Sequence, residues 1–198
     1  GLGNDTFWSS RGVAATTDTN RDVIDGGTGA NRLILTDGDI DGDASISNIQ
    51  TLELRNQPIV NDVHNIDFDA FDANLTSVIM RDEDSDNNAA TFNLDDVGVA
   101  LAADGLVLRH SVTEPTVLAN NATVRVRLAD ASGTNDTAAI RVENDRNTQD
   151  TFNYTLNFDG QATGVGAIEN VTIVDADTED NIVTLTAAQE HTGTITLS

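Results

Sequence analysis

The sequence predicts an all-β protein, repetitive and elongated, from three observations. Short runs of alternating or continuous apolar residues recur between clusters of Asp, Asn, Gly and Thr, with no sustained helical period. Aromatic residues make up 4% of the chain and prolines number 2, so the core is built from small and β-branched side chains. The runs also end repeatedly on an acid or amide, at Asn56, Asp82, Asp130, Asn144, Asp159 and Asp175. Such punctuation predicts the turns of a β-solenoid. Its spacing is irregular, so a β-sandwich with hairpins stands as the alternative, above all where residues 130–136 join two alternating strands.

Ten strands follow in order: RLILT from Arg32, QTLELR from Gln50, SVIMR from Ser77, GLVLRH from Gly105 and TVRVRL from Thr123, then AAIRVE from Ala138, TFNYTLNF from Thr151, NVTIV from Asn170, NIVTLT from Asn181 and GTITLS from Gly193. In TFNYTLNF, Phe152, Tyr154, Leu156 and Phe158 share one face, the mark of a half-buried strand. Val124, Val126 and Leu128 do the same in TVRVRL, which turns Arg125 and Arg127 to solvent as charges that keep a strand surface soluble.

Charge narrows the function classes. The chain of 198 residues carries 33 acids against 10 basic residues, a net charge of −23, and every basic residue is arginine. Nucleic acid and anionic membranes are poor partners for such a surface. The acids divide into 26 aspartates and 7 glutamates, a bias that fits either a generally acidic surface or calcium, a hard cation held by short carboxylates and carbonyls. With no cysteine, disulfides, zinc–thiolate sites and cysteine nucleophiles are excluded. No apolar stretch approaches the roughly 18 residues of a membrane span. The start at Gly1 lacks the regions of a signal peptide, and the chain reads as an excerpt of a longer one.

Two motifs suggest metal ligation. Gly1, Gly3 and Asp5, followed by Phe7, fit the end of the nonapeptide G-G-x-G-x-D-x-U-x, in which U is a large apolar residue. A second copy holds Gly27 and Gly29 but carries Asn31 in place of the aspartate, and Asp22 lies nine residues before Asn31. Glycine lets such a turn bring carbonyls towards a cation while the aspartate adds a carboxylate. Asp37, Asp39, Asp41 and Asp43 form the second motif, with oxygens at alternate positions and Gly42 where the chain must turn. Asn48 occupies the position of the bidentate glutamate, so this is a simple calcium turn and not an EF-hand. Asp82, Asp84 and Asp86 are a weaker cluster of the same kind, as are Asp175 and Asp177.

Together these residues resemble the type I-secreted repeats-in-toxin (RTX) proteins, and within them the S-layer and large surface proteins of Gram-negative bacteria. GGTGANRLIL from Gly26 followed by ISNIQTLELRN from Ile46 carries one half of the resemblance. DTFNYTLNF from Asp150, AIENVTIVDAD from Ala167, NIVTLTA from Asn181 and GTITLS from Gly193 carry the other. The resemblance implies calcium-binding roll turns over residues 1–44, an S-layer-like strand module over 45–198, and export by type I secretion. It further implies an extracellular, calcium-stabilised structural segment that self-associates into a layer, sheath or filament. A monomeric adhesin or stalk module that binds glycan or a host surface is the alternative, with cell-surface polysaccharide as a further partner. A repeat module attached to an enzyme ranks behind both.

Catalysis has no sequence support: H-E-x-x-H and G-x-S-x-G are absent, and His64, His110 and His191 lie far apart. Six Asn-x-Thr sequons, at Asn4, Asn74, Asn121, Asn135, Asn153 and Asn170, permit glycosylation without requiring it.

Overall fold

The computed structural model describes residues 2–10, 12–13, 22–55, 63–82, 90–110, 121–144, 152–161, 168–176, 181–187 and 194–198. Fifteen strands run β1 Thr6–Ser9, β2 Val23–Asp25, β3 Arg32–Leu35, β4 Ser45–Ser47, β5 Thr51–Arg55, β6 Val63–Asp67, β7 Ser77–Asp82, β8 Thr91–Val97, β9 Leu106–His110, β10 Asn121–Leu128, β11 Thr137–Asn144, β12 Phe152–Gln161, β13 Asn170–Asp175, β14 Asn181–Ala187 and β15 Thr194–Leu197. A 3-10 turn, Phe68–Ala70, and one short helix, α1 Val99–Asp104, complete the described elements.

The chain alternates between sheets. Every odd strand joins one eight-stranded sheet in the order β1-β3-β5-β7-β9-β11-β13-β15, and β6, β8, β10, β12 and β14 form a second sheet of five. Strands β2 and β4 pair separately. Every described pairing is parallel. Residues 130–136 therefore do not close a hairpin, because β10 and β11 lie in different sheets. A strand that returns parallel to its predecessor needs a full circuit of chain, and the alternating pattern of each strand is blind to that choice.

Circuit length explains the irregular punctuation. Asn31 and Gln50 face one another 19 residues apart, Asn4 and Ala30 26 apart, Val78 and Leu106 28 apart, and Arg109 and Glu143 34 apart. Apart from an irregularity where β8 and β12 each carry one residue more than β10, the strands stay in register and the turns absorb the difference. The eight-stranded sheet runs without a break across residue 44, since β3 pairs with β5.

Between the sheets lies one apolar core, with Leu33, Leu52, Val78, Leu106 and Ile140 from one side and Phe92, Leu94, Val124 and Leu156 from the other. His64 is wholly buried among them, stacked on Phe92 with ring centroids 5.5 Å apart and Nδ1 3.0 Å from the carbonyl oxygen of Gly38. Tyr154, Leu156 and Phe158 point inward as their alternation requires. Arg125 and Arg127 face outward but are paired, with Asp159 and with Asp95 respectively.

Candidate metal centre

Carboxylates gather where β6 and β8 end. At the end of β6, Ile66 is buried and Asp67 turns outward, where its Oδ1 accepts a 3.0 Å hydrogen bond from the Asp69 backbone N–H and starts the 3-10 turn. Phe68 and Ala70 anchor that turn in the core and leave Asp69 exposed. On the neighbouring strand Leu94 opposes Val126 and Val97 opposes Leu128, so β8 has one residue more than β10 between the same two rungs. This bulge bends the strand. It holds Asp96 at φ 57°, a left-handed conformation that non-glycine residues rarely adopt.

The result is a group of three: ligand oxygens of Asp67, Asp69 and Asp96 lie within 4.8 Å of one another. Burial pushes the Asp67 carboxyl above the usual aspartate range, against the bond from Asp69, with the charges of Asp69, Asp95 and Asp41 adding to the rise. Asp96 is raised in the same way, by burial first and then by Asp67, Asp69 and Asp95. Gly42 packs so tightly on the Asp67 carboxylate that a Cβ there would overlap Oδ2. An all-oxygen set with a surplus of negative charge suits a hard divalent cation and offers nothing to a soft one.

None of the residues singled out from sequence belongs to this trio. The nonapeptide glycines sit instead against one another: a Cβ on Gly29 would overlap the Gly3 carbonyl oxygen, and Thr28 bridges to Leu2. Asp5 and Asn31 are equivalent positions 26 residues apart, not turns of a nine-residue roll, and the Asp5 backbone N–H donates to Asn31 Oδ1 at 2.9 Å. Asn31 is 1% exposed, and its amide also donates to the Asn48 carbonyl at 2.9 Å. Its side chain thus ties together segments 26 residues before it and 17 residues after it.

Asp22 lies exposed ahead of β2 in the two-stranded sheet, away from the sheet that Asp5 leads into. Asp39 accepts from both the backbone and the side chain of Asn65, at 2.8 and 2.9 Å, and Asp41 accepts from the Asp43 N–H at 3.3 Å. Among the described residues, Asp37, Asp39, Asp41 and Asp43 do not converge on a common point. Strand β7 ends at Asp82, and Gly1, Asp84 and Asp86 fall outside the described residues.

Much of the Asp and Asn content serves turn geometry. Asn48, at φ 57°, donates to Asp25 at 2.7 Å and receives from Asn74 at 3.2 Å, while its backbone N–H donates to Asp72 at 3.0 Å. Stacked Asx turns satisfy backbone groups that the strands leave behind. The bonds from Asn48 and Gly27 hold Asp25 below the usual carboxylate range.

Beside the trio, a cleft of about 360 Å³ opens between the 3-10 turn and α1, lined by Phe68, Phe71, Leu75 and Leu101 with Asp69, Asp72 and Asp96. Within the described residues no helix is long and apolar enough to cross a membrane. No protein-family model, curated protein or solved structure matches this chain.

Proposed function

We propose that this chain is a segment of an extracellular structural protein, wound as a β-solenoid, stabilised by calcium and built to self-associate into a layer, sheath or filament. The observation that carries the reading is the alternation of strands between two parallel sheets, each circuit adding one strand to an in-register stack. Such a stack lengthens by repetition, and each coil needs only its neighbours for support.

Calcium enters through Asp67, Asp69 and Asp96. A bound divalent ion cancels the repulsion between their carboxylates and favours the folded state by mass action. At low free calcium that contribution is lost, which fits a chain exported before it folds. Circular dichroism and light scattering with millimolar calcium and with chelator test this. Calcium-dependent β structure with large assemblies supports the reading, and a calcium-independent melting temperature removes calcium from it.

A second reading, a monomeric adhesin or stalk module, is favoured by the cleft beside the trio. Phe68 and Phe71 lie 5.6 Å apart there, next to carboxylates that suit sugar hydroxyls. Saturable glycan binding by a calcium-loaded monomer would decide for it.

A further inference from the structure

We propose that the cleft between the 3-10 turn and α1 binds an amino sugar, its free ammonium group held by the carboxylates of the rim and the C–H face of its ring laid on Phe71 beside Phe68. The inference rests on the adhesin or stalk reading and names the class of glycan which that reading leaves open.

The cleft has two chemically distinct sides. One is apolar: Phe68, Leu75 and Leu101 are buried, Phe71 is half-buried, and the two phenyl rings lie 5.6 Å apart at a tilt of 32°. The other is acidic, with Asp69, Asp72 and Asp96 and, among the described residues, no basic side chain in the lining. Its volume of about 360 Å³ stands at the small end of ligand pockets, the size of roughly one or two sugar rings.

Ionised carboxylates accept hydrogen bonds and donate none, so the occupant must bring the donors. Among the described residues no hydrogen bond reaches the carboxylate of Asp69 or of Asp96. Asp72 accepts from the backbone N–H groups of Asn48 and Asn74 and from the Asn74 side chain, all neutral donors that leave its charge in place. Arg127, the cation that acts on Asp96, is already held by Asp95 at 2.8 Å. The rim therefore attracts a positive group and repels an anionic ligand. A divalent ion on Asp67, Asp69 and Asp96 would cancel two of their three charges, and Asp72 keeps the rim negative beside it.

An amino sugar meets both sides at once. Its ammonium and hydroxyl groups supply donors along the ring edge, while the C–H groups of one face form an apolar surface. Next to the phenyl rings the ammonium also gains cation–π attraction. A plain alkyl amine brings fewer donors to the rim, and a neutral sugar brings no charge.

Isothermal titration with millimolar calcium at about pH 6.5, where such an amine is charged, tests the assignment. Three disaccharides of the same linkage serve as probes: that of glucosamine, its N-acetylated form, and cellobiose, which carry ammonium, acetamide and hydroxyl at the same ring position. The amine form is expected to bind about tenfold tighter than the other two. Asp69→Asn, at an exposed position, should erase most of that preference although it changes the net charge by only one in 23. Phe71→Leu should weaken all three sugars alike, with circular dichroism confirming that both variants fold. Equal binding of the three sugars, or a preference that Asp69→Asn leaves intact, overturns the ammonium contact but leaves the glycan reading standing. Unchanged affinities in Phe71→Leu overturn the placement of the ring. Failure of all three to bind overturns both the inference and the cleft as a glycan site. Phenethylamine that binds as tightly as the glucosamine disaccharide and displaces it assigns the cleft to an apolar amine and overturns the sugar as its occupant.

Discussion

Replacing Asp96 with asparagine should change stability in opposite directions with and without calcium. Unit charges 4.8 Å apart, the widest separation within the trio, repel by ~0.9 kcal/mol at the dielectric of water and ~3.5 kcal/mol at an effective value of 20. Asp96 is half-buried while Asp69 is exposed, which places the relief from Asp96→Asn at about 1–2 kcal/mol. Asparagine also tolerates the left-handed backbone at this bulge. In chelator the variant should therefore melt about 2–8 °C above the wild type. With calcium at a hundred times its dissociation constant the wild type gains about 2.7 kcal/mol, and the variant, one carboxylate short, gains far less. The order of melting temperatures should then reverse.

Acidification supplies an internal control for Asp96→Asn. The folded Asp67 and Asp96 are both raised, so protonation favours the folded state. The stability they contribute is complete below their unfolded value and lost as pH rises through the folded one. The advantage of Asp96→Asn in chelator should accordingly vanish towards pH 4 or below. A variant that melts below the wild type in chelator, or that responds to calcium as the wild type does, refutes the assignment.

Gly42→Ala should push the Asp67 carboxylate aside and weaken calcium affinity by about tenfold, equivalent to ~1.4 kcal/mol, with a much smaller change in the calcium-free melt; isothermal titration reads the first and calorimetry the second. Glu53→Gln leaves three arginines around a buried neutral group and should cost about 3 kcal/mol, equally with and without calcium, by chemical denaturation. Burial works against the charged form of Glu143, but its bonds to Arg141 and Arg109 outweigh that and hold it below the usual range. Its contribution is therefore present above the unfolded value and lost as pH falls through the folded one. Glu143→Gln should cost about 1 kcal/mol at pH 7 and almost nothing at pH 3, as compared by urea titration at the two values.

All ten strands read from sequence are present, because period-2 alternation is a local property that survives any choice of partner. Five strands escaped. β1, β2 and β4 are only three or four residues long, and in β6 and β8 the apolar positions are interleaved with Asn65, Asn93, Asp67 and Asp95. Those polar residues sit outward on the sheet, and Asn93 donates to Asn65 at 2.8 Å, a ladder that makes a strand look like a loop in sequence. Helix α1 escaped too, although Val99-Ala-Leu-Ala-Ala between Gly98 and Gly105 carries good helix formers with glycine at either end.

By itself the sequence determined the secondary-structure class, the acidic surface and the absence of cysteine chemistry, all of which follow from composition and local pattern. Only the tertiary structure decided that the strands pair in parallel across 19 to 34 residues and that Asp67, Asp69 and Asp96 form the group of three. Among 33 acidic residues no local spacing marks those three. Their proximity comes from one extra residue in β8, which brings Asp96 beside the turn that follows its neighbouring strand β6. A bulge is defined by the strand it faces, so its consequence is written in the pairing of two segments and not in either one alone.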